Sequence, residues 1–218
     1  MKFSSTLFIA LFISVSTFAQ APDPTRFAEE IVEIQNRNTQ LDADKPVVLF
    51  TGSSSVRMWK DVQDYFPEIN ALNNGFGGSH FTDLIHYQQE LMYDFKPGKL
   101  FIYEGDNDTG AGIPASEIMA ATAYLYAQIK QHLPETEIYF LTPKPSIARW
   151  ELKEKYEEYN AMLEEFCAFD DNVHFVDVWT PMLDENGVVR DDLFIEDDLH
   201  MNKTGYDIWG NVIAPFLD

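Results

Sequence analysis

The sequence predicts an α/β protein in which one sheet of five parallel strands lies between two layers of helices, a three-layer α/β/α sandwich. Five short runs rich in Val, Ile, Leu, Phe and Tyr have the composition of strands buried on both faces. Longer segments with apolar residues at helical spacing separate these runs. Strands that alternate with helices in this way build a parallel sheet that is covered on both sides. The predicted strands lie at 46–51, 69–72, 99–103, 137–141 and 173–176.

Caps, prolines and periodicity place the helices. Asp23 and Pro24 are typical of a cap followed by a first-turn proline, and apolar residues then recur at helical spacing up to about residue 40. A helix at 114–132 is closed by Leu133 and Pro134, because a proline disfavours the helical conformation of the residue before it. Further helices are predicted around Met58 and Trp59, at 80–95, at 148–169 and at 202–216.

The first nineteen residues have the pattern of a targeting segment. Lys2 supplies a positive start, an apolar stretch follows, and Thr17-Phe18-Ala19 precedes a cleavage point, with a second frame at 19–21. The apolar stretch is too short for a comfortable transmembrane helix. We therefore predict a signal peptide at 1–19 and one exported domain at 20–218, periplasmic or extracellular and without a stable membrane anchor.

The chain is strongly acidic, with a formal charge of −21. Removal of residues 1–19 takes away Lys2 and no acidic residue, which leaves 36 acids against 14 bases, a charge of −22. Such a surface repels polyanions, so nucleic acids and anionic membranes are not expected partners. The only cysteine, Cys167, lies beside Phe166 and Phe169 and is interpreted as a buried structural thiol.

The first predicted strand ends at Gly52, and serines follow at 53–55 before the next helix. A serine just after such a sharp turn is exposed above the carboxyl end of the sheet, close to the free amides of a helix start, which stabilise negative charge. This position suits a nucleophile. Serines in a row are also ordinary helix caps, so the turn alone leaves both interpretations open.

Two further strands are followed by loops with unusual residues. Gly75, Gly77 and Gly78 allow the backbone to approach a ligand and present an amide, although the same pattern fits an ordinary turn. The loop lacks the lysine of a phosphate-binding loop and the spacing of a dinucleotide fingerprint. Asn107, after the third strand, can donate to an oxyanion without a charge, or it can simply form a turn.

Asp197 and His200 stand just before the last predicted helix. An aspartate three residues before a histidine can reach its Nδ1, which fixes the tautomer that leaves Nε2 free to take a proton from a serine. Two alternatives remain, a solvated acidic loop and a cation site built from neighbouring acids. His80 borders the glycine loop and is interpreted as a residue that lines the site and not as the base, since it has no carboxylate partner comparable to that of His200 at short spacing.

Taken in order, these four blocks resemble those of the SGNH (GDSL-type) hydrolase superfamily, which are esterases on a flavodoxin-like three-layer fold. The resemblance runs from about Val47 to the end of the chain. Gly52-Ser53-Ser54 matches Gly-Asp-Ser of the first block, although Ser53 stands where the motif has aspartate. The second, third and fifth blocks match at Asn73 to Gly78, at 105–108 and at 197–200.

The resemblance implies a role for each matching residue. It makes Ser54 the nucleophile, His200 the base, Asp197 its partner, and Ser54, Gly78 and Asn107 the oxyanion donors. The loop with Lys144-Pro145-Ser146 and Arg149-Trp150 resembles those of exported lysophospholipase-like and carbohydrate-esterase branches, so Arg149 and His80 are expected to contact substrate. Neither metal nor organic cofactor is expected, and the expected substrate is a small-molecule or glycan ester.

Four functions compete at this level. The preferred one is a secreted serine esterase for a short acyl group, acetyl on a carbohydrate above all, because the chain has neither a basic amphipathic helix nor a long apolar lid segment for a lipid interface. A lysophospholipase is the alternative within the same chemistry. A glycan-binding module without turnover and a cation-dependent hydrolase are the alternatives outside it.

Overall fold

The computed structural model of the protein describes residues 23–37 and 41–217. The predicted signal peptide at 1–19 and the end of the first predicted helix lie outside these residues, so both stay predictions. Among the residues described, no helix is both long enough and apolar enough to cross a membrane.

All five predicted strands are present, and they form one parallel sheet in the order β2-β1-β3-β4-β5. The chain moves outward from β1 to β2 and then returns to the other side of β1. Parallel sheets bind ligands outside the carboxyl ends of the strands at such a reversal, which here falls between β1 and β3. The strands are β1 Val47–Gly52, β2 Asn70–Gly75, β3 Lys99–Tyr103, β4 Glu137–Leu141 and β5 Val173–Val176.

Helices cover both faces of the sheet, which confirms the predicted three-layer architecture. The helices are α1 Ala28–Arg37, α2 Ser54–Arg57, α3 Val62–Tyr65, α4 Phe81–His86, α5 Gln88–Leu91, α6 Asp106–Gly110, α7 Ala115–His132, α8 Lys153–Cys167 and α9 Lys203–Ile213. One core packs α1, α4, α5, α7 and α8 against the sheet, and the other packs α2, α3 and α9 against the opposite face. Short 3₁₀ turns lie at Pro24–Phe27, Tyr93–Phe95, Trp150–Leu152, Thr180–Met182, Asp191–Leu193 and Ala214–Phe216.

The alternation of strand side chains divides the apolar residues between the two cores. On the face of α9, an aromatic residue from each of four strands stacks on its partner in register. The ring centroids of Phe50 and Phe101 are 4.9 Å apart, those of Phe101 and Tyr139 4.3 Å, and those of Tyr139 and His174 4.5 Å. This row of rings crosses β1, β3, β4 and β5 on the face of the sheet that α9 covers, and it fixes the register of these strands.

The structure differs from the prediction at two segments. The helix expected at 80–95 is divided into α4, α5 and a 3₁₀ turn, since Tyr87 and Met92 have non-helical dihedral angles. At the second break the buried Asn74 side chain donates to the carbonyl of Leu91, which takes that group out of a helical ladder. Residues after β3, expected to be a loop, form the short α6 instead.

Gly52 makes the turn from β1 into α2 possible. Its φ is +118°, and a Cβ at this position would lie 1.8 Å from the carbonyl oxygen of Tyr103 on β3. Glycine alone combines this dihedral with so close an approach. The amide of Ser53 then donates to the same Tyr103 carbonyl at 3.0 Å, and Ser54 becomes the first residue of α2 at the carboxyl edge of the sheet.

Candidate active site

Of the three serines after β1, only Ser54 has its hydroxyl against a histidine. Its Oγ lies 2.8 Å from Nε2 of His200, and the residue is half-buried. Ser53 and Ser55 are each 1% exposed, so their side chains belong to the interior. The structure therefore brings the first-turn serine of α2 to the histidine from the other end of the chain.

Asp197 holds the opposite side of the His200 ring. Its Oδ2 lies 2.5 Å from Nδ1, while its Oδ1 accepts hydrogen bonds from the amides of Leu199 at 3.0 Å and His200 at 2.8 Å. Burial alone would raise the pKa of Asp197, but the hydrogen bonds from the His200 ring and from these two amides lower it to about 2. The carboxylate is therefore ionised wherever the histidine can act as a base.

The turn that carries both residues is closed by its own backbone. The amide of Ile195 donates to the carbonyl of His200 at 2.9 Å, and the amide of Asp198 donates to Ile195 at 3.0 Å. Asp198 adopts a left-handed φ of +57°, a conformation that Asp and Asn tolerate better than other side chains. Its carbonyl accepts from the amide of Ala148 at 3.0 Å, which ties this turn to the loop after β4.

The amides of Ser54 and Gly78 are free to bind an anion. Among the residues that the structure describes, no group accepts a hydrogen bond from either of them. Gly78 is exposed with φ +75°, a dihedral that glycine adopts without strain. The glycine loop lies against α2, since a Cβ on Gly75 would be 2.3 Å from the amide nitrogen of Arg57.

Asn107, the third residue predicted to bind an oxyanion, lies beside the glycine loop. Its Nδ2 donates to the carbonyl of Ser79 at 2.9 Å. A carboxamide nitrogen carries two hydrogens, so the second one remains available to a ligand. Ser54 and Asn107 thus lie on the short helices that follow β1 and β3, Gly78 lies on the loop after β2, and Asp197 and His200 lie on the turn before α9. The first three follow the carboxyl ends of neighbouring strands, and His200 reaches Ser54 there.

The model of the GDSL-like Lipase/Acylhydrolase family matches residues 34–208, well over half of the chain. The chain belongs to this family. It is a carboxylic ester hydrolase, and the resemblance predicted from the four blocks is confirmed. No curated relative matches the acylhydrolase.

Solved structures share its fold. A Streptococcus pneumonia protein provisionally named a platelet activating factor is 23% identical with a TM-score of 0.78, and the match covers 88% of this chain and 94% of that one. A GDSL-like lipase from Bacteroides thetaiotaomicron is 20% identical with a TM-score of 0.69, covering 89% and 97%. An acetylxylan esterase from Geobacillus stearothermophilus is 16% identical with a TM-score of 0.65, covering 81% and 94%.

Arg149 of the acylhydrolase contacts Asn107. Its Nη2 donates to Oδ1 of Asn107 at 3.0 Å, and its Nη1 donates to the carbonyl and to Oδ1 of Asp106 at 2.9 Å and 2.5 Å. The contact with substrate expected for Arg149 stays a prediction, and the structure places its guanidinium among protein groups.

Asp106 is a buried carboxylate that sequence reasoning missed. The hydroxyls of Tyr156 and Tyr103 donate to it at 2.7 Å and 2.9 Å, and Nζ of the fully buried Lys144 lies 3.6 Å away. Burial raises the pKa of Asp106, but the charges of Lys144 and Arg149 and the hydrogen bonds from Tyr156 and Tyr103 lower it to about 2. Lys144 lies between two prolines just after a buried strand. This was the one signal in the sequence that could have indicated the cluster around Asp106.

A second set of buried acids lies beside the glycine loop. Nδ1 of His80 is 3.5 Å from Oδ1 of Asp108, a partner 28 residues away that spacing does not reveal. The backbone amide of His80 donates to Asp83, which pairs with Arg26 at 2.6 Å. His80 is half-buried at the start of α4, two residues after Gly78, and its predicted role in lining the site and contacting substrate stays a prediction.

Glu104 is a buried acid that contacts the glycine loop through Ser79. It is 2% exposed and accepts a hydrogen bond from the hydroxyl of Ser79 at 2.8 Å. Burial, followed by the negative charges of Asp108 and Asp83, raises the pKa of Glu104 well above its ordinary value. The Glu104 carboxyl therefore supports Ser79, the residue that follows Gly78.

The acidic run at 191–198 was the basis of the cation-site alternative. Asp192 is paired with Arg190 at 2.7 Å, and Asp197 with His200. In the described part of the chain, no group of three or more His, Cys, Asp or Glu residues is arranged to hold a metal ion.

Glu104→Gln is expected to change how stability depends on pH. A carboxyl whose pKa is raised on folding contributes stability that is complete below its unfolded pKa and is lost as pH rises through its folded pKa. The glutamine variant cannot ionise, so its Tm should match the wild type near pH 5 and exceed it by several degrees at pH 9, given roughly 2–4 °C per kcal/mol in a domain of this size.

Thermal unfolding followed by circular dichroism from pH 5 to pH 9 measures this difference. Glu158→Gln is the matched control, because Glu158 is an exposed residue on α8. A Tm difference that does not change with pH would show that folding does not raise the pKa of Glu104.

Proposed function

We propose that this acylhydrolase is a serine esterase that removes short acyl groups, above all acetyl groups, from a carbohydrate or another small alcohol. The observation that carries the proposal is the continuous hydrogen-bonded chain from Oδ2 of Asp197 through the His200 ring to Oγ of Ser54. A serine hydroxyl is a weak nucleophile until a neighbouring base takes its proton. This series of hydrogen bonds holds the His200 ring in the orientation that such a base needs.

In the proposed reaction, Ser54 Oγ attacks the ester carbonyl and its proton passes to Nε2 of His200. The carbonyl oxygen becomes an oxyanion, which accepts hydrogen bonds from the amides of Ser54 and Gly78 and from Nδ2 of Asn107. The imidazolium, stabilised by ionised Asp197, returns the proton to the leaving alcohol oxygen as the C–O bond breaks. Water then attacks the acyl-serine with His200 as base again, which releases the acid and restores Ser54.

Exposure and charge favour a short, water-soluble ester over a lipid. The exposed large apolar side chains among the described residues belong to separate segments, and none is in the loops that carry the candidate site; they are Val32, Leu41, Tyr124, Phe169 and Val188. Lipid-interface enzymes need a contiguous apolar surface, and the charge of −21 opposes binding to anionic bilayers. Gly78 and Asp197 are exposed, so the site is open to a bulky alcohol such as a glycan.

The name of the Geobacillus stearothermophilus neighbour, an acetylxylan esterase, agrees with this substrate class, and its similarity to the present chain supports the fold alone. Export through the predicted signal peptide at 1–19 is part of the proposal, because polymeric glycan esters lie outside the cytoplasm.

Ser54→Ala should abolish turnover of p-nitrophenyl acetate. Loss of the nucleophile is expected to lower kcat by about 10⁴–10⁶, as in other triad knockouts. Ser53→Ala is the matched control, because Ser53 is buried and its side chain makes no capping hydrogen bond, and its kcat should stay within about threefold of the wild type. An inactive Ser53 variant beside an active Ser54 variant would refute the assignment, and a wild type without turnover would favour the glycan-binding alternative.

Asp197→Asn should lower kcat by up to about 10⁴, since an asparagine favours the wrong tautomer of the base. Asp198→Asn is the control. Asparagine tolerates the left-handed φ of +57° at this position, so its rate should be nearly that of the wild type. In the wild type, Asp197 should not contribute to the pH dependence of kcat/KM between pH 4 and pH 9, since its pKa of about 2 keeps it ionised over this range.

Rates measured from pH 4 to pH 9 for both variants decide between a triad and a shared acidic site. Equal damage from the two substitutions, or inhibition of the wild type by a chelator, would favour the cation-dependent alternative.

The acyl group can be identified with p-nitrophenyl esters of two, four, eight and twelve carbons, followed by acetylated xylan and other acetylated glycans. We expect kcat/KM to be highest for acetate and to fall as the chain lengthens, with acetate release from at least one glycan. A preference for the twelve-carbon ester or for a lysophospholipid would replace this proposal by the lipid alternative.

A further inference from the structure

Arg149 and Ser79 hold the Asn107 carboxamide from two sides. Nη2 of Arg149 donates to its Oδ1 at 3.0 Å, and its Nδ2 donates to the Ser79 carbonyl at 2.9 Å. If the amide were rotated by 180°, its NH₂ would face the guanidinium donors and its oxygen would face the Ser79 carbonyl. Both contacts would then be repulsive, so the two neighbours together select one orientation of the amide.

This orientation decides what Asn107 offers to a reacting ester. With Oδ1 on Arg149, the second hydrogen of Nδ2 is left for an oxyanion. In the rotated state a carbonyl oxygen would take that place and oppose the developing negative charge. Stabilisation of an oxyanion depends on donors that are already aimed before the charge forms.

Arg149 is itself immobilised. Its Nη1 donates twice to the buried Asp106, whose carboxylate is fixed by the hydroxyls of Tyr103 and Tyr156. The guanidinium also lies over Gly110 of α6, where a Cβ would be 2.9 Å from Cζ and 3.0 Å from Nε. Space for the guanidinium in this position therefore depends on the absence of a side chain at residue 110.

We propose that Arg149 is a positioning residue, which holds the Asn107 carboxamide with its nitrogen toward the reacting carbonyl. The proposal rests on the function proposed above, because it gives Asn107 the role of oxyanion donor. It differs from the contact with substrate expected from the sequence, since Arg149 acts through Asn107. Replacement of Arg149 should therefore lower kcat, and it should have no further effect once Asn107 has been replaced.

A double-mutant cycle on p-nitrophenyl acetate tests this. Asn107→Ala should lower kcat by about 10²–10³, the usual loss for one oxyanion donor. Arg149→Met should lower kcat by about 10–100-fold with KM changed less than twofold. The double variant should be no slower than Asn107→Ala alone, because without the carboxamide Arg149 has nothing to orient.

Gly110→Ala is a second probe that keeps every charge. The new methyl group displaces the far end of the Arg149 side chain, so kcat should fall about 3–10-fold, and this loss should also vanish in the Asn107→Ala background. This variant decides the matter if Arg149→Met does not fold. Arg190→Met, an exposed arginine paired with Asp192, and Gly98→Ala, where a Cβ meets only Val47 at 3.9 Å, are the matched controls.

A rise in KM with kcat unchanged would overturn the proposal, because it would make Arg149 a substrate-binding residue. Losses that multiply in the double variants would also overturn it. Ser54→Ala separates this failure from a failure of the proposed function: full activity in that variant refutes the serine mechanism itself, whereas an inactive Ser54 variant beside multiplicative losses refutes only the role of Arg149. Thermal unfolding of each variant verifies that it is folded under the assay conditions.

Discussion

The contact between β1 and the end of β3 is the constraint on which the rest of the site depends. The carbonyl of Tyr103 occupies the space that a side chain on residue 52 would fill, and it accepts the amide of Ser53. The hydroxyl of the same tyrosine donates to Asp106 and accepts from the amide of Lys144 at 3.3 Å. Tyr103, at the reversal of strand order, therefore fixes the turn that carries Ser54 and also the carboxylate of Asp106, the residue before Asn107.

The buried acids around this contact contribute little to the free energy of unfolding. Their main effect is to fix the positions of the groups around the candidate site. Burying a charge is costly, and an ion pair in the interior often does no more than offset its own desolvation. Asp106 remains ionised because two cations and two hydroxyls surround it, whereas burial and the charges of Asp108 and Asp83 raise the pKa of Glu104. Each acid fixes one loop of the candidate site: Asp106 the groups around Asn107, and Glu104 the serine that follows Gly78. We interpret both as supports for the site and not as sources of folding energy.

Most of the fold could be predicted from the sequence because its signals are local. A run of Val, Leu and Phe, a glycine at its end, or an aspartate three residues before a histidine can each be recognised within a few positions. The helix expected at 80–95 could not be divided correctly, since the group that interrupts it, Asn74, belongs to β2. The contact of Arg149 with Asn107 spans 42 residues and that of His80 with Asp108 spans 28. Such contacts follow from the strand order, which composition and spacing do not determine.

The loop between β4 and α8 connects the two halves of the proposed mechanism. Its residue Ala148 donates to the carbonyl of Asp198 in the turn that carries His200, and the next residue, Arg149, contacts Asn107. This loop therefore contacts both the turn that carries the proposed base and the proposed oxyanion donor. Because Lys144 and Arg149 tie it to Asp106, the loop can shift only if the buried cluster rearranges. Substrate binding that moved this loop would therefore act on the proton acceptor and on the oxyanion donor at the same time.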